Sequence, residues 1–429
     1  MRRLIGHLKK HRRIYAAVCV AGLLCLGIGT ADHILNRKFS AWKLRPFYES
    51  ELSFDVLYFG TSHVYDGLSP LVLWKEYGIT SYNLGFNSGE LALSYWNLKL
   101  ALKEGRKPEY VVVDVFEDKG DTGVVGLSSA HRALDYFSLD ALKWQAVSDL
   151  FEEEDQREEL LVPLSIYHNR WKELSKDDLL PGVNETLGYQ QLWGVAKPDQ
   201  KIIQNRAAKK ELNRTQREYL TRIAKLCKEE GIKLLFIKIP CSYRPDWQMR
   251  DNSVYELAEE LGVPFINYMN EETNIDFDMD FYDVAHLNVT GAHKMTRILG
   301  AELKRMGARD RRKEAIAPVW DEMYEVYEKS NAEFLTGCTD LKTYLSALYQ
   351  DAYTVEIRML GTLEFEEDSV YGKLLSQLSG IAVIDDGYGA LMRGGQKADI
   401  SITVRWRDSG ELIDEASFRC DTAETARRL

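Results

Sequence analysis

Five short apolar runs, Phe54–Gly60, Ile79–Asn83, Tyr110–Val115, Ile232–Ile239 and Val263–Asn267, constrain the fold of this chain more than any other feature. Each is too short for a core helix, and the central ones are apolar almost without interruption. That is the pattern of strands covered on both faces. Between and after them, apolar residues recur at helical spacing: Leu91, Tyr95, Leu98 and Leu102; then Tyr219, Ile223, Leu226 and Cys227; then Met295, Ile298, Leu299 and Leu303. Strand and helix in alternation predict a three-layer α/β/α domain on a parallel five-stranded sheet. In such folds reactive groups gather beyond the carboxyl ends of the strands.

The chain begins with a basic cluster, Arg2, Arg3, Lys9, Lys10, Arg12 and Arg13, and then runs uncharged and apolar from Ile14 to Thr30. This pattern belongs to a short membrane span or to the core of a secretory signal. Gly29-Thr30-Ala31 offers small residues for cleavage, but the run exceeds a usual signal core, so an uncleaved anchor is expected. The positive-inside rule keeps the basic flank cytoplasmic and exports everything after about residue 35.

The remaining chain is long enough for two cores. Residues 36–310 are expected to hold the α/β domain, interrupted at about 118–204 by a charged helical insertion where the strand–helix alternation stops. The insertion is read either as a lid over the strand ends or as a packing element. Residues 311–429 read as a separate, accessory α+β module, helical to about residue 350. Strand-like runs follow at Tyr353–Leu360, Ile381–Ile384 and Ile400–Val404, with turns at Gly387, Gly389, Gly394 and Gly395. A formal net charge of −11, with bases scattered among acids, argues against a nucleic-acid partner. Six cysteines show no metal-ligand spacing, and two fall in the apolar run. A disulfide scaffold is excluded, although one bridge, Cys338–Cys420, stays open. No glycine-rich phosphate loop is present.

The first strand delivers Gly60-Thr61-Ser62-His63, and some 220 residues later comes Asp283-Val284-Ala285-His286, just ahead of an amphipathic helix that Asn288 or Thr290 can cap. A hydroxyl nucleophile needs a base to take its proton and a carboxylate to hold that base in one tautomer. Ser62, His286 and Asp283 are the expected trio. An Asp three residues before a His on a turn can reach Nδ1 while Nε2 faces the serine. His63, His131, His168 and His293 compete for the role of base. His63 adjoins the serine on a tight turn, where neighbours diverge, and His293 lies two turns along the helix. Val64 stands where a nucleophile elbow would have its second glycine, so that motif is absent.

The arrangement resembles the SGNH/GDSL family over roughly residues 50–306. A closer likeness is to its membrane-anchored members that modify bacterial cell-surface polymers, of the teichoic-acid D-alanylation and alginate-acetylation type. That likeness rests on Tyr58-Phe59-Gly60-Thr61-Ser62-His63-Val64-Tyr65-Asp66-Gly67-Leu68-Ser69-Pro70 and Tyr82-Asn83-Leu84-Gly85. Lys107-Pro108 before the third strand and Tyr167-His168-x-Arg170-Trp171 add to it. It implies an oxyanion hole built from the backbone N–H groups of Ser62 and Gly89. The third donor of that family, an Asn after the third strand, is missing, because the chain reads Phe116-Glu117-Asp118. One lost donor costs about 100-fold to 1,000-fold in rate.

The resemblance implies serine-dependent O-acyl transfer, of acetyl or D-alanyl type, to an extracellular polysaccharide or polyol phosphate polymer. The acyl group would come from a multipass membrane O-acyltransferase, with no metal or organic cofactor. The same site with water as acceptor would be an esterase or deacetylase, and a non-catalytic scaffold for the membrane enzyme is the third reading. His63, Asn87, His168 and Arg170 are the expected substrate contacts. Tyr167 and Trp171 could stack on sugar rings while Arg170 takes an anionic group. Alternatively, Tyr167 and Trp171, four apart, share one packed helix face and His168 and Arg170 are solvated.

Overall fold

A computed structural model describes residues 11–35, 38–117, 125–179, 185–196, 208–242, 244–361, 363–389, 391–393, 396–420 and 426–428. Part of the basic leader, the ends of the 118–204 insertion, Gly394 and Gly395 lie outside them. The chain divides into two compact units. One comprises Met1–Ser50, Trp96–Glu104 and Val124–Asn184, and the other Glu51–Tyr95, Gly105–Gly123 and Glu185–Leu429.

The second unit is built on five parallel strands in the order β2-β1-β3-β4-β5. They are β1 (Val56–Phe59), β2 (Ser81–Asn83), β3 (Tyr110–Asp114), β4 (Lys233–Lys238) and β5 (Phe265–Asn267). Each lies inside one of the five apolar runs. Val56 stands opposite Ser81 on one side and Tyr110 on the other. Every residue of β1 and β3 is buried, which is why these strands show no polar alternation.

From β1 the chain steps one way to β2, and from β3 it steps the other way to β4 and β5. Right-handed crossovers therefore put helices on both faces. Pro70–Tyr77 packs with Val289–Arg305, and Arg214–Glu230 packs with Pro245–Leu261, which completes the three layers. Arg214–Glu230 shows how its limits are set. The Asn213 side chain accepts from Gln216 N–H, and the helix stops where Gly231 turns left-handed at φ 68°. The reversal of strand order falls at β1, the position where such sheets open a crevice.

The helix Ala317–Gly337 packs against Pro70–Tyr77. Trp320 is fully buried, its ring 5.3 Å from Trp74 and 6.1 Å from Phe54. Beyond it a second sheet runs β12-β11-β10-β6-β7. Its strands are β6 (Tyr353–Leu360), β7 (Ala382–Tyr388), β10 (Ile400–Trp406), β11 (Leu412–Cys420) and β12 (Ala426–Arg428), with β8 (Leu391–Arg393) and β9 (Gln396–Ala398) pairing separately. β6 alternates buried and more exposed residues, as a strand with one covered face must. Ile357, Ile402, Val404 and Phe418 share a core with Leu345 and Leu374. No disulfide joins Cys338 to Cys420, so the bridge left open between them does not form.

The first unit carries the apolar helix Arg12–Leu35, whose Arg12–Asp32 stretch has a mean hydropathy of 2.1 and is long and apolar enough to cross a membrane. It also holds the helices Lys38–Glu49, Leu127–Leu134, Ala141–Leu150 and Glu154–Leu161, then short turns of helix to Leu179.

Candidate active site

Ser62 owes its position to the turn that ends β1. Gly60 sits at φ +148°, and a Cβ there would meet the Val64 side chain at 2.7 Å, so only glycine passes this point without strain. Thr61 then caps a short helix, Ser62–Gly67, its hydroxyl accepting from His63 N–H at 3.3 Å. The far end of that helix is held by Asn83 at the tip of β2. Its amide donates to the Val64 carbonyl at 2.7 Å and the Leu68 carbonyl at 2.8 Å, while its oxygen accepts from Gly85 N–H at 3.0 Å. Gly85 is needed as well, since a Cβ would lie 2.8 Å from Tyr65 N.

Asp283 and His286 stand on a loop closed at its base by a bridge between Phe281 and Leu287. Tyr282 N–H donates to the His286 carbonyl at 2.9 Å. Asp283 Oδ1 accepts from the backbone N–H of Ala285 at 2.8 Å and of His286 at 2.9 Å. This Asx-type turn places the carboxylate beside the imidazole. His286 Nδ1 lies 2.8 Å from Asp283 Oδ2, and Nε2 lies 2.8 Å from Ser62 Oγ. Asn288, not Thr290, caps the following helix through Gly291 N–H at 3.0 Å, and its amide ties the loop to the Gly194 and Met279 carbonyls.

Electrostatics sharpen this line of three groups. Burial disfavours the His286 imidazolium, but the Asp283 hydrogen bond and charge, with Asp66 behind them, outweigh it and hold the pKa above 6.5. Burial likewise opposes the Asp283 carboxylate. The hydrogen bonds from His286 and Ala285 prevail and pull its pKa down to about 2. The pair therefore has an ionised acid and a base whose pKa is raised above its ordinary value.

Behind the trio lies a polar cluster that the apolar runs concealed. The His63 ring stacks on Phe116 at 4.3 Å and meets the His286 ring edge-on at 5.9 Å. Lys238, fully buried at the end of β4, puts Nζ 3.3 Å from His63 Nδ1 and also donates to the Ile239 carbonyl at 2.6 Å. An ammonium only donates. His63 Nδ1 must therefore accept, and the ring proton sits on Nε2, which has no partner among the described residues. Burial, with the charge of Lys238 close by, drives the His63 pKa well below 6.5. Asp114, at the end of β3, accepts from the N–H groups of Phe116 and Ile239 and attracts Lys238. Asp114 was readable only as the single charge in β3 and Lys238 as the second of two in β4, and buried charges are rare unless paired.

The remaining expected residues are placed less favourably for chemistry. Gly89 N–H donates to the Phe86 carbonyl at 2.9 Å. It is thus spent on its own turn in this conformation, where Ser88 takes the left-handed φ of 53°. Ser62 N–H has no acceptor among the described residues. Asn87 is half-buried in the same turn as Ser88.

Within the first unit, Arg170 pairs with Asp178 and donates to the Leu35 carbonyl, so its guanidinium is engaged in local structure. His168 is exposed and rests its Nδ1 2.8 Å from the Ser165 carbonyl. Tyr167 OH donates to Asp135 at 2.9 Å, and Asp135 also holds His131 at 2.9 Å. Tyr167 is therefore not a free stacking platform. His293 is buried against Tyr327, 2.7 Å from its hydroxyl. Among the described residues no group of three His, Cys, Asp or Glu side chains could hold a metal ion.

No protein-family description matches the chain, and no curated protein matches it. Among solved structures it is similar to a psychrotrophic esterase, EstA from Pseudoalteromonas sp., inhibited by monoethylphosphonate. The identity is 11% and the TM-score 0.29, over 59% of this chain and 98% of that one. So loose a likeness carries no argument about what this chain does.

Proposed function

We propose that the chain is a serine-dependent O-acyl transfer protein on the outer face of a membrane, with Ser62 as nucleophile, His286 as base and Asp283 as the group that orients the base. The observation that carries this reading is the continuous line of hydrogen-bonding atoms from Asp283 through His286 to the Ser62 hydroxyl, 2.8 Å at each link. His286 Nε2 would take the Ser62 proton as Oγ bonds to the acyl carbonyl carbon. Collapse would break the bond to the leaving oxygen, which takes that proton from His286 and leaves an acyl-Ser62 ester. A hydroxyl of an extracellular glycan or polyol phosphate polymer would then give its proton to His286 and attack the ester. The proton returns to Ser62. The resemblance to membrane-anchored SGNH proteins supports a multipass membrane acyltransferase as donor, and the apolar helix supports attachment to the membrane.

Hydrolysis by the same site is the second reading, favoured by the access of solvent to the pair: the side chains of His286 and Asp283 are 25% and 42% exposed. The committed Gly89 N–H favours the third, a scaffold without turnover. A fluorophosphonate probe separates the scaffold from both enzymes. Covalent labelling that maps to Ser62 and disappears in Ser62→Ala supports a nucleophile, whereas an unlabelled, folded wild-type protein overturns it. Supplying labelled acyl donor with polymer or with water alone then decides between transfer and hydrolysis.

A further inference from the structure

The segment read either as a lid or as a packing element is tied to the apolar helix. Leu164–Tyr167, His168–Lys172 and Lys176–Leu179 all pack against Arg12–Leu35. Arg170 donates to the Leu35 carbonyl, satisfying one of the acceptors that a helix end leaves open. Ser175 N–H and Arg170 both bind Asp178, which fixes this turn to the helix end. The contact continues down the helix: Cys25, Ile28 and Gly29 line one wall of a cavity whose other wall includes Leu139, Val162 and Leu164.

From Cys25 to Leu35 the helix rises about 15 Å at about 1.5 Å per residue. The uncharged run Ile14–Thr30 is only about 26 Å long at that rise, against a hydrocarbon core of about 30 Å. A membrane crossed by this run therefore contains Cys25, Ile28 and Gly29, and whatever stands level with them meets lipid. Leu139 and Val162 line the same cavity, Ile166 and Trp171 belong to the short helices packed on the apolar helix, and the four are 69%, 49%, 41% and 63% exposed in that order.

We infer that this edge of the insertion is a membrane-seated collar: Leu139, Val162, Ile166 and Trp171 insert into the outer interface of the bilayer that the N-terminal helix crosses. Leu139 and Val162 reach the acyl-chain boundary. Trp171, next to Lys172 with its ammonium 5.5 Å from the indole centre, sits at headgroup depth, where amphipathic rings are favoured. Acidic residues outnumber basic ones between 125 and 179, so the attraction is apolar rather than electrostatic. It should be as strong on zwitterionic as on anionic lipid and insensitive to salt.

The test uses the full chain in phosphatidylcholine vesicles, on a background in which Cys19, Cys25 and Cys420 are replaced. Nitroxides are placed singly through Leu139→Cys, Val162→Cys, Trp171→Cys and, as a control on the same unit, the exposed Glu154→Cys. Collision with oxygen relative to a water-soluble nickel chelate should be at least about fivefold greater at the first three than at the control, at low and high salt alike. A ratio at 139, 162 and 171 equal to that at 154 overturns the collar. A nitroxide in a separate chain that keeps Cys19 while Cys25 and Cys420 are replaced reports the span itself, and a water-like ratio there would sink the anchor and the collar together.

Discussion

At the scale of single residues, the proposed chemistry turns on two imidazoles 5.9 Å apart whose surroundings push them in opposite directions. His286 is raised by Asp283, and a base works only when neutral, so activity toward a small acyl ester should climb with pH through a value above 6.5. Asp283→Asn removes the raising partner. The rising limb of kcat/KM should move to lower pH and the maximum rate should fall, and a limb that stays in place would show that Asp283 does not act on His286. Ser62→Ala and His286→Ala should each lose on the order of 10,000-fold, and the double variant little more, because groups acting as one unit are not additive.

His63 behaves differently. In NMR titration its ring should stay neutral at a pH where an ordinary histidine is half protonated. Lys238→Met should raise its pKa, since the ammonium beside Nδ1 is one of the causes that hold it down. A His63 that titrates near 6.5 in the wild-type protein would contradict the hydrogen bond from Lys238. The trio was legible in the sequence because Gly-Thr-Ser after a strand and Asp-x-x-His before a capped helix are local patterns. The cluster of His63, Lys238 and Asp114 was not, because it joins the ends of separate strands, and no spacing along the chain encodes that.

At the scale of elements, the serine is held by the clamp on its short helix rather than by the helix itself, which at six residues is too brief to be stable alone. Asn83→Ala would leave the Val64 and Leu68 carbonyls buried with fewer partners. It should cost about 1–3 kcal/mol of unfolding free energy, measured by denaturant titration. Activity should fall further than stability accounts for, because Ser62 loses its fixed approach to His286. Loss of stability with unchanged turnover per folded molecule would make Asn83 a purely structural residue.

All five strands could be read from apolar runs, but their order could not, since it depends on which edges meet after the crossovers. β11 escaped notice because much of Leu412–Asp414 is exposed or half-exposed, which dilutes any apolar pattern. The sequence left the insertion open between a lid and a packing element for a related reason. Tyr167 and Arg170 carry the chemistry of ligand recognition, yet Asp135, Asp178 and the Leu35 carbonyl, all distant in sequence or unremarkable in it, occupy their polar groups.

At the scale of the whole molecule, the proposed membrane anchor would decide which compartment the site works in. Protease added to intact spheroplasts should degrade the chain beyond residue 36 and spare the basic leader. Protection of the larger part would place the site inside the cell and exclude extracellular polymers as acceptors. The boundary expected at residue 310 has another meaning once Trp320 is seen lying on Trp74, with the Trp74 indole donating to Asp321 at 2.9 Å. Arg311, at the same junction, lies 3.4 Å from Asp55 at the foot of β1. The serine-bearing layer is thus sealed by side chains that are synthesised after all five of its strands. During synthesis the Trp74 face stays bare until the polypeptide beyond residue 320 has followed. Chain termination anywhere between 306 and 317 should therefore yield a sticky, protease-prone product rather than a smaller working domain.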